Sequence, residues 1–257
     1  QADLKTFAAH GIYGMSAIVS VVAENTCRVL DIQDITPDMI EKQIIAVFED
    51  IEVHAVKVGM LSTRAGMLAV SKMLKQYRPK HVVIAPVMVA KGGCALMQEE
   101  ALSTLIEEMI PLADVLTPNI PEAEAITGMK IQSEEERKRA AVSIYQMGAK
   151  HVLIKGGHLS QEEDATDLLY DGNSFQTFAT KRIPTKNTHG TGCTFSSAIA
   201  SNLALGYAMP QAVANAKDYV TMAITHALEI GKGHGPTHHL YDIYQNRLTV
   251  KENEHEL

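Results

Sequence analysis

The sequence has 257 residues, of which 46% are hydrophobic and 21% are charged, and its formal net charge is −7. These values are typical of a globular protein with one domain, residues 1–257, and no run of Lys or Arg forms the basic patch of a nucleic-acid-binding protein. No apolar stretch reaches the roughly 18 residues of a membrane span. The three dispersed cysteines, Cys27, Cys94 and Cys193, argue against disulfides and zinc and favour a cytoplasmic protein.

The chain opens inside a predicted helix, residues 1–7, which Gly11 ends. Because an α/β domain rarely begins in a helix, we expect a strand and a loop to precede Gln1. Helix and strand signals then alternate to the end of the chain. Strands are predicted at 13–23, 55–58, 81–84, 115–117, 151–154, 167–170 and 175–180. Helices are predicted at 36–50, 63–76, 98–109, 133–147, 191–205 and 209–229, with a further helix starting near 119.

This alternation predicts an α/β fold with a mainly parallel central sheet and helices on both of its faces. Strands 167–170 and 175–180 form the exception, because the Asp-Gly-Asn sequence at 171–173 predicts a hairpin turn between them. Ligands of such sheets bind beyond the carboxyl ends of the strands. Each motif described below directly follows a predicted strand or begins a predicted helix.

Residues 187–194 have the sequence Asn-Thr-His-Gly-Thr-Gly-Cys-Thr and immediately precede an apolar helix. Glycines allow several backbone N–H groups to point at one spot, and the helix start adds free N–H groups and a positive dipole end. The motif therefore predicts an anion hole for a transferring phosphoryl group. Cys193 lies in the same field, which favours the thiolate, a candidate base. The alternative is a glycine-rich helix cap with Cys193 as a small core residue.

Asn119 and Glu122 follow the strand at 115–117 and begin a helix. Their spacing of three residues lets both side chains face one pocket, and Mg²⁺ prefers a few protein oxygens together with several waters. The pair is therefore a candidate magnesium site. In the alternative interpretation, Asn119 caps the helix and Glu122 completes a capping box.

Three further residues are candidates for a phosphate-binding region. Lys155 ends a strand and precedes two glycines, although an ordinary surface lysine before a turn has the same pattern. Asp167 lies on the next strand and would be close to Lys155, unless it is simply a surface strand residue. Lys91 lies in a Gly-rich loop that we interpret as a flap closing over the phosphates, with a plain connecting loop as the alternative.

The three motifs occur in a characteristic order: Asn-x-x-Glu at 119–122, Ile-Lys-Gly-Gly-His at 154–158, and Thr-His-Gly-Thr-Gly-Cys-Thr at 188–194. This combination resembles the ribokinase-like superfamily and is most similar to the bacterial hydroxymethylpyrimidine and phosphomethylpyrimidine kinases of thiamine biosynthesis. The resemblance covers essentially the whole chain. It extends to the segments 1–7, 22–27, 57–61 and 231–236.

The resemblance implies a transfer of the γ-phosphoryl group of ATP to a pyrimidine alcohol, and a second transfer to its monophosphate. Cys193 would be the catalytic base, at a position where most of the superfamily has Asp. Asn119 and Glu122 would organise Mg²⁺ through water, and Lys155 would contact ATP. The resemblance also implies a homodimer. It assigns the anion hole to the N–H groups of Gly190, Thr191, Gly192 and Cys193, and the pyrimidine pocket to Asp3, Glu24, Met60 and Val87.

The chain departs from the family pattern in two places. A Gly-rich strand and loop usually precede the position of Gln1, and an Asp usually occupies position 85, where this chain has Ala85. A pyridoxal kinase with the same cysteine loop is the nearest alternative, although Glu24 and Met60 favour an aminopyrimidine. A non-catalytic nucleotide-binding protein is the second alternative, which Ala85 makes plausible. A redox enzyme using Cys193 would need a resolving cysteine at a suggestive spacing.

Overall fold

The computed structural model describes residues 1–90, 93–98, 100–156 and 164–245. Its strands are β1 (Ser20–Glu24), β2 (Val29–Asp34), β3 (Val56–Val58), β4 (Val82–Ile84), β5 (Val115–Leu116), β6 (Val152–Ile154), β7 (Asp164–Tyr170) and β8 (Phe175–Lys181). Its α-helices are α1 (Ala2–Ala9), α2 (Pro37–Phe48), α3 (Arg64–Tyr77), α4 (Ala101–Thr104), α5 (Ile120–Thr127), α6 (Glu134–Gln146), α7 (Thr191–Ala204) and α8 (Met209–Thr225). Within the described ranges, no helix combines the length and the apolar character that crossing a bilayer requires.

Six strands form the central sheet in the order β3-β4-β5-β6-β7-β8. Neighbouring strands from β3 to β6 are parallel, and β7 and β8 continue the sheet as the predicted antiparallel hairpin. The predicted α/β class with a mainly parallel sheet is confirmed. The carboxyl ends of four parallel strands therefore meet along one edge, which is where the motifs lie.

Helices cover both faces of the sheet, and the strand sequences explain why. Side chains alternate between the two faces of a strand, so a strand covered on both sides must be apolar throughout. In β4, Val82 and Ile84 pack into a core with α3 and α6, whereas Val83 packs into a second core with α7 and α8. All three residues are buried.

The prediction of one long strand at 13–23 was wrong in extent. Only Ser20–Glu24 is a strand, and it pairs with β2 as an antiparallel ribbon separate from the central sheet. The sequence analysis missed β2. Its residues are half-buried or exposed, so they carry no strong hydrophobic pattern. The predicted helix at 98–109 begins instead at Ala101, and a π-helical turn and a 3-10 turn extend it to Leu112.

Asp167 is buried in β7, so the alternative that it is a surface strand residue was wrong. One carboxylate oxygen accepts the Gly156 N–H at 3.0 Å, and the other lies 2.7 Å from the ammonium of Lys217 on α8. Lys217 also donates to the Ala165 carbonyl at 2.8 Å. The pair ties α8 to the hairpin and fixes the backbone just after Lys155.

We expect Lys217→Ala to destabilise the protein by about 3–5 kcal/mol, because it leaves the buried Asp167 carboxylate without its counter-ion. The matched control is Lys42→Ala, since Lys42 pairs with Asp38 at 2.7 Å on the surface, where such a pair contributes little. Urea unfolding of both variants measures the difference. Equal losses in the two variants would contradict the assigned role of the Asp167–Lys217 pair.

Candidate functional site

The predicted anion hole lies at the start of α7, where Gly190 occupies the N-cap position with φ of 79°. This left-handed backbone conformation favours glycine. The Thr191 hydroxyl donates to the Thr188 carbonyl at 2.8 Å and closes the turn before the helix. The first N–H groups of a helix have no carbonyl four residues earlier to bond, so those of Gly192 and Cys193 belong to the positive end of α7. Cys193 is a half-buried free thiol.

Residues 235–239, which follow α8, form hydrogen bonds with this loop and with the first turn of α7. His189 donates its N–H to the Gly235 carbonyl at 3.0 Å, and Gly235 in turn donates to the Asn187 side-chain oxygen at 3.2 Å. In the first turn of α7, the Thr194 hydroxyl is hydrogen-bonded to His239 at 3.0 Å. Burial lowers the pKa of His239 to about 4, so this histidine is neutral near pH 7 and serves as a structural partner.

Lys155 brings a second positive group to the same place. Its ammonium donates to the Thr117 carbonyl at 2.6 Å and lies 3.7 Å from the point where a Cβ on Gly192 would stand. The end of β6, the turn after β5 and the start of α7 therefore converge. The structure brings Lys155 and the predicted anion hole together, as a phosphate-binding site requires.

Asn119 and Glu122 form a complete capping box at the start of α5. The Asn119 side chain accepts the Glu122 N–H at 2.8 Å, and Glu122 accepts the Asn119 N–H at 2.7 Å. The Glu122 carboxylate is 3.8 Å from the Lys155 ammonium. Burial raises the pKa of Glu122, and nearby Lys155 and the Asn119 and Met88 N–H groups offset part of this effect.

The oxygens of this capping box indicate whether a magnesium ion would fit beside it. Glu122 supplies one buried carboxylate beside Lys155, and Asn119 already uses its side-chain oxygen in the helix cap. A hydrated Mg²⁺ needs few direct protein ligands, so these residues fit an ion that is held through water next to phosphates. Among the described residues, no group of three or more His, Cys, Asp or Glu side chains is arranged to hold a metal directly.

Asp3, predicted to line the pyrimidine pocket, is engaged by protein groups. Its two oxygens lie 2.9 and 2.8 Å from the ammonium of Lys57, and one of them accepts the Ser197 hydroxyl at 2.7 Å. Sequence analysis did not assign Lys57 to the site. A lysine between Val56 and Val58 in a short buried strand was the available signal, because a charge at such a position needs a partner.

Two of the other predicted pocket residues lie along the carboxyl edge of the sheet. Met60 and Val87 follow β3 and β4, whose ends are paired through Val58 and Ile84, and both side chains are half-buried. Glu24 is exposed at the end of β1. Glu24 and His189 line the same small cavity. Since His189 directly precedes the N-cap of α7, the carboxylate predicted to bind substrate lies close to the predicted anion hole. The remaining cavity lining consists of Asn25, Thr26, Cys27, Arg28, Val29, Cys94 and His234.

Ala85 and Lys91 follow β4 in the sequence. Ala85 is 2% exposed and lies directly beyond the strand, with its N–H bonded to the Val58 carbonyl at 2.9 Å. A side chain at this position therefore starts from the same edge as Met60 and Val87. Lys91, the predicted flap lysine, lies outside the described residues.

Comparison with known proteins gives a consistent result. The family model for phosphomethylpyrimidine kinase matches residues 1–238. A hydroxymethylpyrimidine/phosphomethylpyrimidine kinase of Bacillus subtilis is 45% identical over 93% of this chain and 88% of its own length. A thiamine biosynthesis bifunctional protein of Geobacter sulfurreducens is 48% identical over 93% of this chain, and the chain spans 49% of that longer protein.

The fold has a solved counterpart. The crystal structure of an ADP complex of Bacillus subtilis pyridoxal kinase matches with a TM-score of 0.86 at 37% identity, covering 93% of this chain and 91% of that one.

The capping box leads to a prediction about pH. Burial raises the pKa of Glu122, so its contribution to stability is present below the unfolded-state pKa of about 4.3 and is lost as pH rises through the folded-state value. Glu122→Gln should therefore gain stability relative to wild type as pH rises. The Ile131 N–H lowers the pKa of Glu124 on the same helix, so the charged Glu124 stabilises the fold above the unfolded-state pKa. Glu124→Gln should therefore be less stable than the wild type at neutral pH, and this difference should shrink as pH falls.

Urea unfolding across a pH series, without nucleotide or Mg²⁺, measures both differences. The two variants form a matched pair, because each replaces one glutamate of α5 by its neutral isostere. If stability relative to wild type changed with pH in the same direction in both variants, burial would not be what sets the pKa of Glu122.

Proposed function

Since the chain belongs to the phosphomethylpyrimidine kinase family, we propose that it transfers the γ-phosphoryl group of ATP to the hydroxymethyl group of 4-amino-5-hydroxymethyl-2-methylpyrimidine and then to the resulting monophosphate, in thiamine biosynthesis. One observation carries the proposal. Cys193 lies in the first turn of α7, within a glycine-rich helix start that Lys155 approaches from the neighbouring strand end.

The chain's own residues supply the base and the charge stabilisation. The Cys193 thiolate takes the proton of the substrate hydroxyl as the hydroxyl oxygen attacks the γ-phosphorus, and the bond from that phosphorus to ADP breaks. In this first transfer the sulfur ends as a thiol, and the products are a phosphate monoester and ADP. In the second transfer a phosphate oxygen of the monoester attacks the γ-phosphorus of another ATP, and the products are a diphosphate ester and ADP. The N–H groups of Gly190, Gly192 and Cys193 would stabilise the transferring oxygens, over which charge is spread in the transition state. The Thr191 N–H would join them by leaving the Thr188 carbonyl, to which it donates at 3.3 Å.

ATP is the phosphoryl donor in this proposal. The pyridoxal kinase of similar fold was solved with ADP, which supports a nucleotide site here. Lys155 would bind the phosphates from the β6 end. Asn119 and Glu122 would hold Mg²⁺ through water, and the ion would neutralise the phosphate charge. Asp167 would act indirectly, by fixing Gly156 after Lys155, because its carboxylate is already bonded to Gly156 and Lys217.

The pyrimidine would bind between Glu24, Met60 and Val87. A carboxylate accepts hydrogen bonds from an exocyclic amine, and a methionine packs on a flat ring. Glu24 is exposed at the end of β1, so its carboxylate is accessible to a ligand. Asp3 would support this pocket through Lys57 and Ser197.

Pyridoxal is the second candidate substrate, because a pyridoxal kinase shares the fold at a TM-score of 0.86. Its ring lacks the exocyclic amine that Glu24 would recognise. A non-catalytic nucleotide-binding protein is the third candidate, and Ala85 is the departure that favours it. We also propose a cytoplasmic homodimer; the exposed apolar side chains Val21 and Leu30 on the β1–β2 ribbon offer a surface for a second copy.

We expect Cys193→Ala to lower kcat at least about 10²-fold, the usual contribution of a general base, while ATP affinity is retained because the backbone N–H groups remain. Cys193→Asp should recover part of the rate, since a carboxylate can accept the same proton. The readouts are steady-state phosphotransfer and nucleotide titration.

Ser201→Ala is the matched control, because it removes one heavy atom from the same helix about two turns farther on. Its kcat should remain near that of the wild type. A near-normal kcat in Cys193→Ala would show that the thiol is a packing residue and that positioning alone carries the transfer.

A further inference from the structure

Residues 231–236 follow α8 and have the sequence Gly-Lys-Gly-His-Gly-Pro, with a glycine at every second position. We call them the glycine segment. The proposed reaction assigns no role to this segment. It lies between two parts of the candidate site, which are the turn of the β1–β2 ribbon at residues 25–28 and the loop before α7.

One end of the glycine segment is bonded to Thr26 in the ribbon turn. Gly233 donates its N–H to the Thr26 hydroxyl at 3.1 Å, and His234 donates its N–H to the Thr26 carbonyl at 2.9 Å. A Cβ on Gly233 would stand 2.0 Å from the Thr26 carbonyl oxygen, and one on Gly231 would stand 2.5 Å from Cγ2 and Oγ1 of Thr26. Only glycines therefore allow the segment to approach the turn so closely.

The other end of the segment is bonded to the loop before α7. A ring nitrogen of His234 lies 2.9 Å from the Lys186 carbonyl, and the Gly235 carbonyl accepts the His189 N–H at 3.0 Å. A Cβ on Gly235 would stand 2.6 Å from the Asn187 side-chain oxygen, to which Gly235 donates its N–H. The glycine segment is thus in close contact with the ribbon turn and with the residues that lead into the predicted anion hole.

The ribbon turn is braced internally, so the position of Thr26 sets that of its neighbours. Asn25 donates its N–H to the Arg28 carbonyl at 3.1 Å, and its side-chain oxygen accepts the N–H groups of Cys27 and Arg28 at 2.9 and 3.0 Å. Glu24 directly precedes this turn. Since the ribbon has only two strands and is separate from the central sheet, it needs contacts outside itself to hold its turn in place.

We propose that the glycine segment is a positioning element for the acceptor alcohol, which fixes Glu24 relative to the start of α7 by holding Thr26. A substrate ring bound by Glu24 must place its hydroxyl at the phosphoryl group, so the spacing of these two parts sets which alcohol fits. The segment acts through Glu24 and takes no part in the chemical step. The inference rests on the proposed function, which assigns Glu24 to the substrate.

Gly231→Ala and Gly233→Ala test the role of the segment, because each added Cβ forces the ribbon turn to move. The KM for the alcohol should rise about tenfold, the usual effect of losing a hydrogen bond to a charged group. The KM for ATP and kcat should stay within about twofold of the wild type, as expected when only substrate binding is weakened. Steady-state kinetics use whichever of hydroxymethylpyrimidine and pyridoxal the wild type phosphorylates faster.

Gly206→Ala is the matched control for Gly231→Ala. Both glycines have a left-handed backbone, with φ of 90° and 79°, so both substitutions strain the chain. A Cβ on Gly206 meets no atom within 4 Å, whereas one on Gly231 meets Thr26. The control should therefore keep the wild-type KM for the alcohol.

Thr26→Ala adds a test of the specific contact. It removes the two side-chain atoms nearest to a Cβ on Gly231 but keeps the backbone carbonyl that a Cβ on Gly233 would meet. In double variants, Thr26→Ala should therefore reduce the effect of Gly231→Ala on the alcohol KM and leave that of Gly233→Ala unchanged. Such a difference measures coupling between residues in contact.

The inference is overturned if Gly231→Ala raises the alcohol KM no more than Gly206→Ala does. It is also overturned if Thr26→Ala reduces the effects of both glycine substitutions equally, or of neither. Should Gly233→Ala not fold, the comparison of Gly231→Ala with Gly206→Ala, each with and without Thr26→Ala, decides by the KM of the alcohol.

Amide hydrogen exchange separates this inference from the proposed function, because it reports the contact without any substrate. Residues 231–236 should exchange faster in Gly231→Ala than in Gly206→Ala, and equal exchange would overturn the inference. Faster exchange with an unchanged alcohol KM would show that the segment holds the turn without positioning the substrate, which also overturns it. A wild type that phosphorylates neither alcohol would contradict the proposed function instead, and exchange would then decide whether the segment holds the turn.

Discussion

The ion pair between Asp3 and Lys57 joins the three elements on which the site depends. Asp3 belongs to α1, Lys57 to the first strand of the central sheet, and Ser197, which also bonds Asp3, to α7. The start of α7 is thereby held at the carboxyl edge of the sheet, where the strand ends supply Lys155, Met60 and Val87. A phosphoryl-transfer site needs such rigidity, because small displacements of the reacting groups cost large factors in rate.

A second buried pair, Asp167 with Lys217, has the corresponding role at the proposed nucleotide site. It fixes Gly156, the residue after Lys155, and connects the hairpin to α8. Both pairs use a lysine with a side chain almost fully removed from water. The fold therefore positions the α7 start and Lys155, the two groups proposed to bind phosphate, through two separate buried ion pairs.

The parts of this arrangement that sequence analysis could predict are local. The order of strands and helices, the helix starting at residue 191 and the capping sequence at Asn119 are all encoded within short segments. The two ion pairs were beyond reach, because their members are 54 and 50 residues apart and become neighbours only when the sheet is assembled. Asp167 is an example: its position in the sequence is also compatible with a surface strand, and its burial becomes evident only from the packing of α8.

The β1–β2 ribbon was not predicted from the sequence for a different reason. Its residues are half-buried or exposed, so β2 lacks the apolar alternation that identifies a strand packed on a core. The ribbon nevertheless brings Glu24 to the cavity beside His189, and with it the group proposed to read the substrate.

The proposed preference for hydroxymethylpyrimidine over pyridoxal is tested most directly by phosphotransfer assays. These measure transfer from ATP to hydroxymethylpyrimidine, to its monophosphate and to pyridoxal side by side. We predict transfer to both pyrimidines, with a kcat/KM for hydroxymethylpyrimidine well above that for pyridoxal. A preference for pyridoxal, or an absence of transfer to either pyrimidine, would contradict the account.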